Sequence, residues 1–167
     1  DLYNDIPNAL YPVSIPNDTD NTNNVVLENK VSETIVGITA SSIDETLADT
    51  VSYSLTDSSG GSFKIDSSTG VVTTDAVLDY ETSPSHTITV EALSTDGSKN
   101  SSDFTINVTD VNEPITIISD ANVSSDTVPE NSSENTLVGV TASATDEDSG
   151  DTVSYSLTDS SGEVYLK

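Results

Sequence analysis

The twelve-residue phrase DTVSYSLTDSSG occurs twice in this chain, at Asp49–Gly60 and at Asp151–Gly162, an offset of 102 residues. Whatever the first copy folds into, the second must be able to fold into as well. The fold is therefore a unit of roughly 100 residues that can follow itself along a chain. The same offset lays VLENKVSETIVGITA (26–40) on VPENSSENTLVGVTA (128–142) and Pro12 on Pro114. The sequence predicts an N-terminal segment, 1–11, a first repeat, 12–112, and a second, 113–167, whose pattern breaks off about halfway.

Within the first repeat the apolar residues keep a period of two. In HTITVEA, Ile88, Val90 and Ala92 alternate with Thr87, Thr89 and Glu91; in SDFTINVT, Phe104, Ile106 and Val108 alternate with Thr105, Asn107 and Thr109. An apolar content of 33% with high charge is also the composition of a disordered acidic chain. Disorder has no use for a one-sided apolar pattern, however, and half-buried strands require one. Seven strands are expected, at about 25–27, 34–40, 50–55, 63–65, 71–73, 86–94 and 101–109, with turns at Ser-Ser-Gly-Gly (58–61) and Ser-Ser-Thr-Gly (67–70). No stretch carries a helical apolar stripe, and Val, Ile and Thr dominate the strands. The reading is an all-β antiparallel sandwich. Its expected core is Val36, Ile38, Val51, Tyr53, Leu55, Phe63, Ile65, Val72, Leu78, Ile88, Val90, Phe104, Ile106 and Val108. Half a sandwich in the second repeat leaves an apolar face and strand edges open. We expect the chain to continue past Lys167, the alternative being strands added by another chain.

The charge excludes whole classes of function. Four lysines stand against 29 acidic residues, for a net charge of −25, and arginine is absent. Such a chain cannot neutralise phosphates, so nucleic acid is excluded as a partner, and anionic membrane surfaces repel it. No apolar run approaches the roughly 18 residues of a membrane span. Asp1 follows neither Met nor an apolar leader, which reads as a mature product or a segment of something longer. Cysteine is absent, which rules out disulfides and thiolate metal sites.

Some of the acidic residues are placed unusually. Glu28 follows the first strand, Asp79 and Glu81 lie in LDYE, and Asp110 and Glu113 lie in DVNEP after the last strand. In a sandwich of up-and-down strands these gather at one pole. Asp146 and Asp148, in ATDEDSG, fall in a loop of the next repeat that faces back toward it. Seven carboxylates converging on one junction repel one another unless a cation neutralises them. A hard divalent ion does so: Ca²⁺ takes about 6–8 oxygens from carboxylates, amides, main-chain carbonyls and water. Asn112 adds an amide oxygen, and the lack of sulfur or a nearby histidine disfavours zinc and copper.

These residues also carry a family resemblance. PEN (129–131; LEN at 27–29), ATDEDSG (144–150), VSYSL, FKIDSSTGVV (63–72), LDYE (78–81), VEA (90–92) and DVNEP (110–114) stand in the order of a cadherin repeat. The chain resembles that family over nearly all of the first repeat and all of the second that is present. The resemblance implies a Greek-key β-sandwich in tandem, with two to three calcium ions at the junction. It makes Glu28 and Glu81 carboxylates shared between ions, with Asp79 beside them, and Asp110, Asn112 and Glu113 linker ligands, Glu113 replacing the usual Asp. Asp146 and Asp148 become ligands from the following repeat, with Thr152 adding a main-chain carbonyl.

The first repeat departs from the pattern at its other pole. Thr46 replaces the partner of Asp44, Ser94 stands where an aspartate follows VEA, and NALYP (8–12) replaces the linker. We expect no calcium-bridged neighbour upstream. His86, the only histidine, reads as a half-exposed structural residue, Tyr53 and Tyr155 as core, and the Asn-x-Ser/Thr sequons as chance in an Asn-, Ser- and Thr-rich chain.

The expected function is non-enzymatic: a calcium-stiffened extracellular spacer or adhesive repeat of a large surface or filament protein, resembling repeats of giant bacterial adhesins. Its expected partners are neighbouring repeats of the same or identical chains. The alternative is a recognition module for surface polysaccharide or a partner repeat, with Tyr3, Tyr11 and Tyr80 as candidate aromatic contacts.

Overall fold

A computed structural model describes residues 11–46 and 48–158. Two compact units are distinguished, the first ending at Val111 and the second beginning at Asn112. Tyr3 and the rest of segment 1–10 lie outside the described residues, as do the last nine positions.

The first unit is built from β1 (Asn17–Asp18), β2 (Val25–Leu27), β3 (Ile35–Ser41), β4 (Val51–Asp57), β5 (Phe63–Ile65), β6 (Val71–Thr74), β7 (Ser85–Ser94) and β8 (Lys99–Thr109). They form two four-stranded sheets, ordered β1-β3-β6-β5 and β2-β8-β7-β4. All pairings are antiparallel except β2 with β8, which run parallel in the register Val26↔Val108. The chain changes sheet after β1, β2, β3, β4 and β6, so the β-branched faces of both sheets close on one core. That core holds Val26, Val36, Ile38, Ala40, Phe63, Val72, Leu78, Ile88, Val90, Ile106 and Val108. Burying each large aliphatic side chain contributes about 1.5–3 kcal/mol.

Seven of these strands follow the expected ones; β1 was not foreseen. Tyr53, Leu55, Ile65 and Phe104, expected in the core, pack against it only partly buried. The cause is sheet order for three of them: β4 and β5 are edge strands, covered on one side only.

Glycine is required where β3 bulges. The β3–β6 register shifts between Ile35 and Thr39. Gly37, within that stretch, has φ +82°, and a Cβ there would collide with the carbonyl oxygen of Asn23. Gly37→Ala is expected to lose about 1–3 kcal/mol from backbone strain alone, read as a lower urea midpoint at unchanged slope.

His86, the second residue of β7, has Nδ1 2.9 Å from Ser59 Oγ and its ring edge-on to Phe63, centroids 5.3 Å apart. Nε2 is buried without a hydrogen-bond partner, and desolvation holds the imidazole below its ordinary value of 6.5. A folded-state pKa that is depressed means the unfolded chain takes up the proton first. Stability is then fully present above pH about 6.5 and falls as pH drops below it. Melting between pH 7.5 and 5 should show this slope, and His86→Gln should flatten it.

The second unit contains β9 (Ser119–Asp120) and β10 (Ala142–Ser143), paired antiparallel. It repeats the local bonding of the first at the same offset. Asn17↔Ser41 and Asp18↔Ala40 become Ser119↔Ser143 and Asp120↔Ala142. Asp18 Oδ1 accepts from the N–H groups of Asp20 and Thr39, and Asp120 Oδ1 from those of Asn122 and Thr141. The Tyr53 hydroxyl accepts from Ser42 N–H at 3.0 Å, and the Tyr155 hydroxyl from Ala144 N–H at 2.9 Å. Gly139, at φ +89°, lies against the Ser125 carbonyl as Gly37 lies against that of Asn23.

Candidate metal centres

At the end of the first unit, three chain segments meet. β2 and β8 run parallel, so both finish at this end, and the antiparallel β7 begins there. Glu28 N–H donates to the Thr109 carbonyl at 3.1 Å, and Asn29, at φ 57°, donates to the Leu78 carbonyl at 3.1 Å. That turn drives the Glu28 side chain inward. Only 2% exposed, its carboxylate accepts two backbone N–H groups, Tyr80 at 2.7 Å and Val111 at 2.8 Å. One side chain thus ties the LDYE loop and the departing chain to the end of β2.

Carboxylate oxygens of Glu28, Glu81 and Asp110 lie within 4.8 Å of one another. Lys64 and Lys99 make their ion pairs with Glu33, Asp75 and Glu91 instead. Three carboxylates so close, with an all-oxygen donor set in a chain without cysteine, fit a hard cation such as Ca²⁺. Asp79 does not share this group. Its oxygens accept the N–H of Thr82 at 2.8 Å and its O–H at 2.7 Å, closing the turn that follows. Those bonds, the hydroxyl's foremost, hold the Asp79 carboxyl below the usual range.

In the second unit, oxygens of Asp146, Asp148 and Asp151 also converge within 4.8 Å. Glu113 N–H donates to Asp148 Oδ2 at 3.0 Å, Asp148 N–H to Asp146 Oδ1 at 3.2 Å, and Asp151 N–H to the Asp148 carbonyl at 3.1 Å. Asn112 Nδ2 donates to the Glu113 carbonyl at 2.7 Å, which turns its amide back along the linker. Thr152 is exposed, next to Asp151. Asp151 itself escaped the sequence reading, because Ser-Gly-Asp looks like an ordinary acidic turn.

The opposite end of the first unit holds a third group, Asp44, Asp49 and Asp96. Asp44 precedes β4, Asp49 leads into it, and Asp96 sits in the β7–β8 turn. The Ser94 hydroxyl and then the Thr46 N–H hold the Asp44 carboxyl below its usual range. Counting losses at Thr46 and Ser94 left Asp44 alone there; the fold supplies Asp49 and Asp96 from positions that no motif marks.

The fold and its carboxylate-rich strand ends define a class, a β-sandwich repeat of the extracellular adhesion type. The cadherin domain matches residues 22–109, more than half of the chain, and the chain belongs to the cadherin family. It is 34% identical over 84 residues to human Protocadherin Fat 4, an alignment spanning 50% of this chain and 2% of that protein. Among solved structures it resembles Protocadherin Gamma B7 extracellular cadherin domains 1–4, with a TM-score of 0.56 and 25% identity over 81% of this chain and 35% of that one. Protocadherin Gamma B2 extracellular cadherin domains 1–5 share the fold at a TM-score of 0.55 and 24% identity, over 81% of this chain and 27% of that one. Cadherin domains are non-enzymatic extracellular adhesion modules that bind Ca²⁺. Among the described residues, no helix is long and apolar enough to cross a membrane.

Proposed function

We propose that this chain is a calcium-stiffened spacer and adhesion repeat of a large surface protein, its tandem units held at a defined angle by bound ions. The observation that carries the reading is the pair of carboxylate groups Glu28–Glu81–Asp110 and Asp146–Asp148–Asp151, one in each unit. Between them in sequence lie only the linker, Asn112 and Glu113, and the opening of the second unit. Each group alone supplies three acidic ligands, short of the roughly 6–8 oxygens that Ca²⁺ takes. Ions drawing on both groups, with Asn112, Glu113, Asp79 and the Thr152 carbonyl completing the set, satisfy that demand better than either alone. When bound, two to three such ions neutralise the carboxylates and oppose hinge motion at the joint. The array would then project a binding tip from the cell surface, and its partners would be further repeats of the same or identical chains. The twelve-residue phrase shared unchanged by the two repeats and the lack of cysteine favour a bacterial adhesin.

Calorimetric titration with Ca²⁺ tests the assignment. Glu81→Ala and Asp146→Ala are each expected to weaken binding by about tenfold or more. Unchanged affinity in both removes the metal assignment. Small-angle scattering should show the native chain broadening its distance distribution on chelation, and the two variants already broadened in calcium.

A further inference from the structure

The third carboxylate trio, at the opposite end of the first unit, is assembled by that unit alone. Asp44 and Asp49 belong to the connection between β3 and β4, and Asp96 to the β7–β8 turn. At the repeat offset of 102, Asp44, Thr46 and Asp49 correspond to Asp146, Asp148 and Asp151. The carboxylate missing at Thr46 is thus made up from a different loop, by Asp96. Each aspartate is held through one oxygen. Asp44 Oδ1 accepts from Thr46 N–H at 2.9 Å, Asp49 Oδ1 from the Thr95 hydroxyl at 2.8 Å, and Asp96 Oδ1 from Ser98 N–H at 2.7 Å. Thr95 N–H donates to the Thr50 carbonyl at 3.1 Å and ties the two loops together. The carboxylates are therefore fixed where they repel one another.

A separate observation points to what balances them. Ser94, the last residue of β7, is 2% exposed, and its hydroxyl is buried without a hydrogen-bond partner. It stands close enough to Asp44 to hold that carboxyl below the usual range, but without the alignment of a hydrogen bond. Asp44 Oδ2 is itself buried and unpartnered. A buried oxygen left unpaired costs about 1–3 kcal/mol, and a charged one more. Lys64 and Lys99 do not relieve this, being paired with Glu33, Asp75 and Glu91.

We propose that Asp44, Asp49, Asp96 and the Ser94 hydroxyl form a second kind of cation site, one that takes Ca²⁺ without a ligand from any linker or neighbouring repeat. The three aspartate oxygens lie within 4.8 Å of one another, which suits an ion holding its oxygens at about 2.3–2.6 Å, the Ca²⁺ range. Water completes the shell. A bound ion clamps the β3–β4 connection to the β7–β8 turn. The site shares no residue with the junction groups, so the two assignments stand or fall separately.

Ca²⁺ is titrated into the full chain carrying Glu81→Ala and Asp146→Ala, which weakens the junction, with amide NMR shifts as the readout. Shifts are expected at Thr46 and Ser98, whose N–H groups bond Asp44 and Asp96. Adding Asp96→Asn keeps the oxygen that accepts from Ser98 and removes the charge. It should raise the half-saturating Ca²⁺ at those amides about tenfold or more, with the urea midpoint in chelator no lower than before. Ser94→Ala gives the second readout. In chelator it should match or exceed the parent in stability, because an unpaired buried hydroxyl is gone. In calcium it should bind about threefold or more weakly, having lost an oxygen ligand. No calcium-dependent shift at Thr46 and Ser98 overturns the proposal, and so does an affinity there that neither substitution changes. Failure of the junction reading shows elsewhere, at the Tyr80 and Val111 amides of the native chain, which bond Glu28.

Discussion

Glu28→Ala is expected to be the most damaging single substitution outside the hydrophobic core. The carboxylate is 2% exposed and accepts the Tyr80 and Val111 N–H groups at 2.7 and 2.8 Å. Deleting it leaves two inward-facing donors unsatisfied, at about 1–3 kcal/mol each. The expected loss is thus about 2–6 kcal/mol, against a total stability of about 5–15 kcal/mol for a domain. Urea denaturation in chelator measures this part alone. Glu28→Gln keeps one carbonyl acceptor but aims an amide N–H at a neighbouring donor, so it should fall between wild type and Ala. In calcium the gap between wild type and both variants should widen, because each variant has lost a charged ligand. Glu45→Ala, at an exposed position, provides the control and should stay within about 0.5 kcal/mol. A Glu28→Ala midpoint indistinguishable from that control would mean that its two backbone bonds hold nothing together.

How much of this was legible beforehand depended on whether the signal was local. β7 and β8 announce themselves because Ile88, Val90, Ile106 and Val108 alternate with polar residues, and all four are buried. β1 is Asn17–Asp18, two polar residues, and nothing in the sequence marks it. It exists because Asp18 Oδ1 accepts from Thr39 N–H, 21 positions away, at 3.0 Å. Val13 shows the same limit: it is 0% exposed though it belongs to no strand. Its N–H donates to Ser98 Oγ and its carbonyl accepts from Asn100 Nδ2, contacts spanning 85 and 87 residues. The clustered carboxylates divide along the same line. Glu28 and Asp110 directly follow strands, and Glu81 lies in the loop leading into β7, so strand direction alone brings them to one end. Asp49, Asp96 and Asp151 lie in turns where acidic residues are ordinary, and only the folded chain reveals that their oxygens converge.

Removing calcium is expected to shift stability more than any other solvent change. At a calcium concentration 100-fold above Kd, each independent site contributes about 2.7 kcal/mol to the folded state. For a domain near 100 residues that corresponds to roughly 10–20 °C in Tm per site. Chelation removes this term and also uncovers the repulsion within each trio of carboxylates gathered inside 4.8 Å. The two effects separate by salt. At 1 M NaCl the Debye length is about 3 Å, so salt should restore part of what chelation takes from a chain of net charge −25. It cannot restore coordination, and the remaining deficit measures the bound ions. Mg²⁺, which holds its waters and demands a tighter octahedron, should recover less than Ca²⁺ at equal concentration. If chelated and calcium-loaded chains melt together, or if NaCl alone closes the whole gap, the acidic groups act as a diffuse charge that any cation screens. A Ca²⁺-specific remainder in 1 M NaCl that Glu81→Ala and Asp146→Ala each diminish makes them ligands.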